Sequence, residues 1–173
     1  YKEILNSKKI ILPGVGSFDF NMSKLKYLNL DESLSEAVLV KKTPILGICL
    51  GLQIMLNNSE EGALKGLGWI NGSVRKFDKN LINSKPKIPH LGWNSIKIHT
   101  NYELFKGVDC ARGYYFIHTY YVDLVEHENK LTTTFYGSDF VSGIQKDNIF
   151  GVQFHPEKSH VNGTLFLKNF SSI

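Results

Sequence analysis

Apolar positions along the chain first gather into short runs and later spread through segments rich in β-branched and aromatic residues. Residues 8–12 predict a buried strand that stops at Pro13-Gly14, followed by the loop Pro13-Gly14-Val15-Gly16-Ser17. Near Asp31 the spacing turns helical: Asp31 suits an N-cap, Leu34 and Val38 stand four apart, and Lys41-Lys42 suits a C-terminus. Residues 44–48 predict a second short strand, and 50–56 a helix that closes at the polar run Asn57-Asn58-Ser59. Further on, 73–77, 93–98, 114–122, 131–136, 140–145 and 149–154 have the composition of strands, mostly separated by polar or glycine-containing turns. Residues 164–170 suit a closing helix. Strand–helix–strand at the front and many strands behind predict a mixed α/β fold. With no repeat, low-complexity tract or linker, residues 1–173 read as one domain.

Composition narrows the function classes. The chain is 42% hydrophobic and 21% charged, ordinary for a folded protein. No run of 18 apolar residues and no signal peptide is visible, so no membrane association and a cytoplasmic location are expected. The net charge of +4 comes from scattered lysines, with Arg75 and Arg112 the two arginines, and this is no footprint for nucleic acid. Cys49 and Cys110 have neither metal-ligand spacing nor the density of a disulfide framework, so no metal is expected.

The sharpest local signal is Leu46-Gly47-Ile48-Cys49-Leu50-Gly51-Leu52-Gln53, a strand leading through Gly-x-Cys-x-Gly into a helix. Such a turn strains the nucleophile's backbone, and small residues two before and two after relieve the crowding. Cys49 at a helix N-terminus should favour its thiolate, and the Leu50 amide should point where an oxyanion forms. Taken alone, Cys49 fits equally a buried cysteine packed between strand and helix. Near the other end, Gly151-Val152-Gln153-Phe154-His155-Pro156-Glu157 sets a histidine and a carboxylate at the tip of an apolar strand. The imidazole can take a thiol proton, and the carboxylate can orient it. By itself His-Pro-Glu is as well a surface turn. The Pro13–Gly16 loop lacks the phosphate-binding patterns; it can offer an amide to an oxyanion or be a plain tight turn.

Together these motifs resemble the class I glutamine amidotransferases, and within them the glutaminase subunits of imidazole glycerol phosphate synthases. The similarity runs through Ile11-Leu12-Pro13-Gly14-Val15-Gly16-Ser17-Phe18, the Cys49 segment, Ser59-Glu60-Glu61-Gly62 and Gly66-Leu67-Gly68. It continues through Ile88-Pro89-His90-Leu91-Gly92-Trp93-Asn94, Tyr115-Phe116-Ile117-His118-Thr119-Tyr120-Tyr121, Tyr136-Gly137 and Gln153-Phe154-His155-Pro156-Glu157-Lys158-Ser159. The resemblance implies a flavodoxin-like mixed sheet flanked by helices and a Cys49–His155–Glu157 triad that splits glutamine without cofactor. It also implies oxyanion donors at Leu50 and in the Val15–Gly16 loop, and a glutamine pocket including Gln53, Thr119 and Tyr120. The implied partner is a (β/α)8-barrel cyclase that receives the ammonia, with Trp93, Tyr120 and Lys158 on the partner face.

Two departures stand out. Relatives usually open with a strand, an Asp-Tyr-Gly-x-Gly-Asn loop and a helix, so this chain is expected to lack the first βα unit. Trp69 and Lys158-Ser159-His160 look like paralogues that supply ammonia for acetamidino-sugar synthesis. Rival readings are another cysteine hydrolase on a similar sheet and a non-catalytic binding subunit of the same fold.

Overall fold

The computed structural model describes residues 1–100 and 103–173. Its frame is a mixed sheet in which three strands run parallel: β1 (Ile10–Gly14), β2 (Ile45–Cys49) and β11 (Ile149–Val152). All five β2 residues are buried, as a strand covered on both faces requires, and its side chains divide between two cores. Ile45 joins the core that contains Phe18, Met22, Met55 and Ile70. Leu46 and Ile48 join an aromatic core with Phe116, Phe150, Phe154 and Phe166.

The sheet then turns antiparallel through β10 (Ser138–Lys146), β8 (Tyr120–Leu124) and β4 (Gly72–Lys76), and ends at short β3 (Asn58–Ser59). Strand β9 (Lys130–Tyr136) pairs with β10 and with β6 (Lys97–Ile98). A separate two-stranded sheet joins β5 (His90–Asn94) to β7 (Tyr114–His118). Helices α1 (Lys2–Asn6), α2 (Phe18–Tyr27), α3 (Leu30–Ser35), α4 (Leu50–Gln53) and α5 (His160–Ser172) complete the chain. No helix among the described residues is long and apolar enough to cross a membrane.

The mixed α/β arrangement expected from the sequence is present, with local differences: α2 was not expected, and the expected 50–56 helix is regular only over Leu50–Gln53. The expected 114–122 strand is two strands in two sheets, broken at Thr119, whose carbonyl accepts from Phe77 N at 3.3 Å. The expected 93–98 strand is likewise split between β5 and β6. Asp31 does not cap its helix; Asn29, left-handed at φ 53°, precedes Leu30, and the helix widens to a π turn at Glu36–Val40. A short polar Asn tolerates the left-handed region better than its leucine neighbours would, so the entry turn falls there.

Parallel β1, β2 and β11 end at one edge, where the register sets Gly14 beside Cys49 and Val152 beside Ile48. Loops at the carboxyl ends of parallel strands form the usual crevice of such sheets. Helix α4 packs so closely there that a Cβ on Gly51 would collide with the Leu12 carbonyl. We therefore expect Gly51→Ala to cost on the order of 3 kcal/mol or to prevent folding, checked by urea denaturation; a change below about 0.5 kcal/mol would contradict this packing.

Candidate active site

At the turn from β2 to α4, Cys49 has φ 54° and ψ −111°, a backbone conformation natural to glycine at the start of a type II′ turn. A side chain held there stores on the order of 1–3 kcal/mol of strain, which the packed strands on either side must sustain. The strain aims Sγ into a cavity of about 400 Å³ lined by Gly14, Val15, Gly16, Leu50, Gln53 and His155, among others. Glu61, Ile117, His118, Thr119, Tyr120 and Lys158 also line it.

His155 follows β11. Its backbone N–H donates to Tyr115 O at 2.8 Å, and buried Ser159 ties the segment down, donating to His155 O at 2.6 Å and accepting from Tyr115 N at 3.0 Å. The ring's Nδ1 lies 2.6 Å from Glu157 Oε1. A carboxylate accepts, so Nδ1 carries a proton, and Nε2 is the nitrogen that offers a lone pair when the ring is neutral. That Nε2 is buried and has no hydrogen-bond partner among the described residues. A buried nitrogen left bare beside a cavity containing a thiol is arranged to take a proton.

Cys49 differs from its sequence expectation in one respect. Burial pushes its thiol up to about 11, overriding the opposing Leu50 amide; Glu157 also raises it, while the Gln153 amide and Lys158 lower it. Helix α4 is one turn long, so its dipole contributes little. The resting group is therefore a thiol, which reaches the Ile117 carbonyl at 3.9 Å. Ionisation must accompany substrate binding and proton transfer rather than precede them.

Gln53 lies at the cavity wall with its amide nitrogen committed, donating to Tyr120 O at 3.0 Å and Gln153 Oε1 at 2.9 Å. Its oxygen is the end left for a ligand. Tyr120 O accepts a second bond, from His118 Nδ1 at 2.8 Å. His118 Nε2 in turn faces His90 Nδ1 at 3.0 Å, and His90 Nε2 faces Asn94 Nδ2 at 3.1 Å. Because Asn94 Nδ2 also donates to Phe135 O at 2.9 Å, each proton in this chain of bonds has one possible place, and both imidazoles are neutral. Sequence reasoning attached no role to this buried pair, because the two histidines stand 28 positions apart and meet only when β5 pairs with β7.

Burial pushes His90 down to about 4 and His118 to about 3. Below about pH 6.5 the unfolded chain takes up protons that the folded pair refuses. Stability is therefore full above that pH, falls as the pH drops toward 4, and levels off below the folded values. We expect the melting temperature to drop by on the order of 10 °C between pH 7 and pH 4.5; a flat profile across that window would contradict neutral imidazoles.

The Gly14–Gly16 loop is braced from two sides. Glu61 Oε2 accepts from Phe18 N at 2.8 Å, Asp19 accepts from Ala63 N and Leu64 N at 2.9 and 3.0 Å, and Asn21 Nδ2 donates to Val15 O at 2.9 Å. In a trans peptide the Gly16 N–H points away from Asn21. Of the expected partner-face residues, Trp93 and Lys158 come together around Tyr115, a motif residue to which the sequence attached no role. The Trp93 and Tyr115 rings lie 6.4 Å apart, and Lys158 Nζ is 5.6 Å from the Tyr115 ring. Trp93 also stacks on His160 at 5.2 Å. Tyr120 shares the cavity lining with Lys158 but not that ring cluster; its own ring is 5.9 Å from Lys76 Nζ and packs on the first core. Among the described residues no group of three or more His, Cys, Asp or Glu is placed to hold a metal ion.

The family model for class-I glutamine amidotransferases matches residues 2–172. The chain is 43% identical over 172 residues to "Imidazole glycerol phosphate synthase subunit HisH" of Leptospira interrogans, covering 99% of this chain and 84% of that protein. It is 48% identical over 167 residues to "Imidazole glycerol phosphate synthase subunit HisH 2" of Methanococcus maripaludis, covering 96% and 81%. In fold it resembles a putative GMP synthase protein of Thermoplasma acidophilum, with TM-score 0.67, 20% identity, and 99% and 74% of the two chains covered. The glutaminase domain of Trypanosoma brucei CTPS, solved with bound acivicin, superposes with TM-score 0.61 at 15% identity, covering 99% and 74%. The strained cysteine turn, the buried histidine paired with an exposed glutamate and the match along nearly the whole chain have one common explanation: this chain belongs to the class-I glutamine amidotransferase family.

Proposed function

We propose that the chain is a glutaminase in which Cys49, His155 and Glu157 release ammonia from glutamine for a partner enzyme. The observation that carries this is the state of His155: one nitrogen bound to Glu157, the other buried, bare and lining the same cavity as Cys49. Glutamine enters with its α-ammonium toward Gln53 Oε1, the one end of that amide without a committed role, and its side-chain amide over Sγ. His155 Nε2 takes the thiol proton as sulfur attacks the amide carbon. The Leu50 N–H and an amide of the Val15–Gly16 loop meet the oxyanion, each donor worth on the order of 3 kcal/mol. Collapse passes the proton from His155 to the departing nitrogen, releasing ammonia. Water, deprotonated by the same imidazole, then opens the γ-glutamyl thioester to glutamate and restores the thiol.

Ammonia released into solvent is protonated and diluted, so a glutaminase of this kind serves an acceptor site close by. The curated relatives are named as subunits of imidazole glycerol phosphate synthase, and we assign the acceptor to a (β/α)8-barrel cyclase of histidine biosynthesis. Trp93, Tyr115 and Lys158 form the patch beside the cavity that such a partner would cover. The test is complementation: a strain lacking its own glutaminase subunit should grow without histidine when given this gene, and should not when given the Cys49→Ala form. Failure of the unmodified gene, with restored synthesis of an acetamidino sugar in the matching strain, would move the acceptor to that chemistry.

A further inference from the structure

Gln153 has no part in the mechanism above, yet it is fully buried and touches the nucleophile. Its Nε2 lies 3.6 Å from Cys49 Sγ, while its Oε1 accepts from Gln53 Nε2 at 2.9 Å. Its backbone N–H is fixed by Ser142 O at 2.9 Å. Neighbours decide which end of a glutamine amide is nitrogen. The Tyr120 carbonyl can only accept, so the Gln53 nitrogen faces it; the second hydrogen of that nitrogen then requires an acceptor, and Gln153 supplies its oxygen. The Gln153 nitrogen is therefore turned toward sulfur. Reversing it would set two N–H donors against each other and a carbonyl lone pair against the thiolate.

Resting on the reading of Cys49 as nucleophile, we propose that Gln153 is a positioning residue whose amide, aimed by Gln53 and the Tyr120 carbonyl, holds Cys49 Sγ and favours its thiolate. The chemistry gives this donor a distinct place. The Leu50 N–H that faces sulfur in the resting state is needed by the oxyanion once the carbon–sulfur bond forms. Gln153 is then the donor that stays with sulfur, both when the thiolate attacks and when it departs from the thioester. Donors to an ionised partner are about twice as strong as neutral ones, so the bond tightens as the thiol loses its proton and discriminates between the two states. A buried thiolate without such a donor would cost the full desolvation of its charge. Other charged and titratable groups surround the same sulfur: Glu157 and Lys158 from the turn after β11 oppose one another, His155 faces the cavity from that same segment, and His118 and Glu61 face it from other elements.

The test is the rate of Cys49 alkylation by iodoacetamide at several pH values, read by peptide mapping with Cys110 as internal reference. Gln153→Met keeps length and apolar volume but removes the donor. The midpoint of Cys49 ionisation should rise by about one unit, slowing its alkylation at pH 8 about tenfold, with Cys110 unchanged. Gln153→Glu should slow Cys49 at least as much, by placing a carboxylate against the sulfur. An unchanged Cys49 profile in folded Gln153→Met would overturn the proposal. Should that variant not fold, the unmodified chain decides. Its Gln153 side-chain amide resonances should shift as Cys49 ionises at high pH and stay put in Cys49→Ala, and no shift in either would overturn it. The underlying glutaminase reading fails by a different result, glutamine hydrolysis that survives Cys49→Ala.

Discussion

Replacing Cys49 by alanine is expected to lower glutamine hydrolysis by at least about a thousandfold while leaving the fold in place. The thioester needs sulfur, and no other thiol lines the cavity among the described residues: the second cysteine, Cys110, lies in the turn before β7. Serine should fare little better, because an alkoxide at this buried turn is harder to form than a thiolate. The backbone offers an independent check on what the turn is for. At φ 54° and ψ −111° glycine is the relaxed choice, so Cys49→Gly should be more stable than Cys49→Ala by on the order of 1 kcal/mol. A strained cysteine retained where glycine would be more stable is one kept for chemistry. The check is glutamate release by the complete complex alongside urea denaturation of each variant. Cys49→Ala turning over at near the unmodified rate would remove the nucleophile from the account.

The isolated chain is expected to hydrolyse glutamine roughly a hundred- to a thousandfold more slowly than the same chain bound to its partner with acceptor present. That range is what one missing oxyanion donor costs. The proposed donor able to turn away from the oxyanion is the Val15–Gly16 peptide. Its carbonyl is tethered by one side chain, Asn21, Gly16 is already at φ +92°, and Val15 projects to solvent. A peptide flanked by glycines at 14 and 16 turns over at little steric cost, whereas Leu50, the other donor, is buried in the packed nucleophile turn and cannot. A partner seated, as proposed, on Trp93, Tyr115 and Lys158 would contact the wall of the same cavity through Lys158. Turnover should be compared for the chain alone, with partner, and with partner plus acceptor ligand. Full activity of the chain alone would mean that the loop is no switch.

The sequence made the two ends of the candidate site legible because each is local. Gly47-Ile48-Cys49-Leu50-Gly51 reports a crowded strand-to-helix turn, and the fold shows the crowding: a Cβ at Gly47 would stand 2.7 Å from Leu52 N. His155-Pro156-Glu157 carries its own orienting carboxylate two residues on. The parallel strands were legible too, since 44–48 is apolar at every position except Pro44 and Gly47 and strands buried on both faces read that way. Helix α2 was not, because it buries only Phe18 and Met22 in ten residues and is held at its start by Glu61, a residue 43 positions away. The break at Thr119 was hidden for the opposite reason: residues on both sides are equally strand-like, and the partners that divide them, β5 on one side and β4 with β10 on the other, lie far off in sequence. Thiol acidity was misjudged from the helix rule because a single turn of helix is outweighed by burial.

The central claim is that sulfur of Cys49 becomes covalently bound to the γ-carbonyl of glutamine. It is tested most directly by quenching the complex in acid during steady turnover of glutamine and mapping its peptides by mass. The expected result is a γ-glutamyl group on the peptide that carries Cys49, enriched when Glu157→Gln slows hydrolysis of the thioester and absent when Cys49 is alanine. Turnover with no acyl group on Cys49 under either condition, or an acyl group on a different residue, would contradict the account.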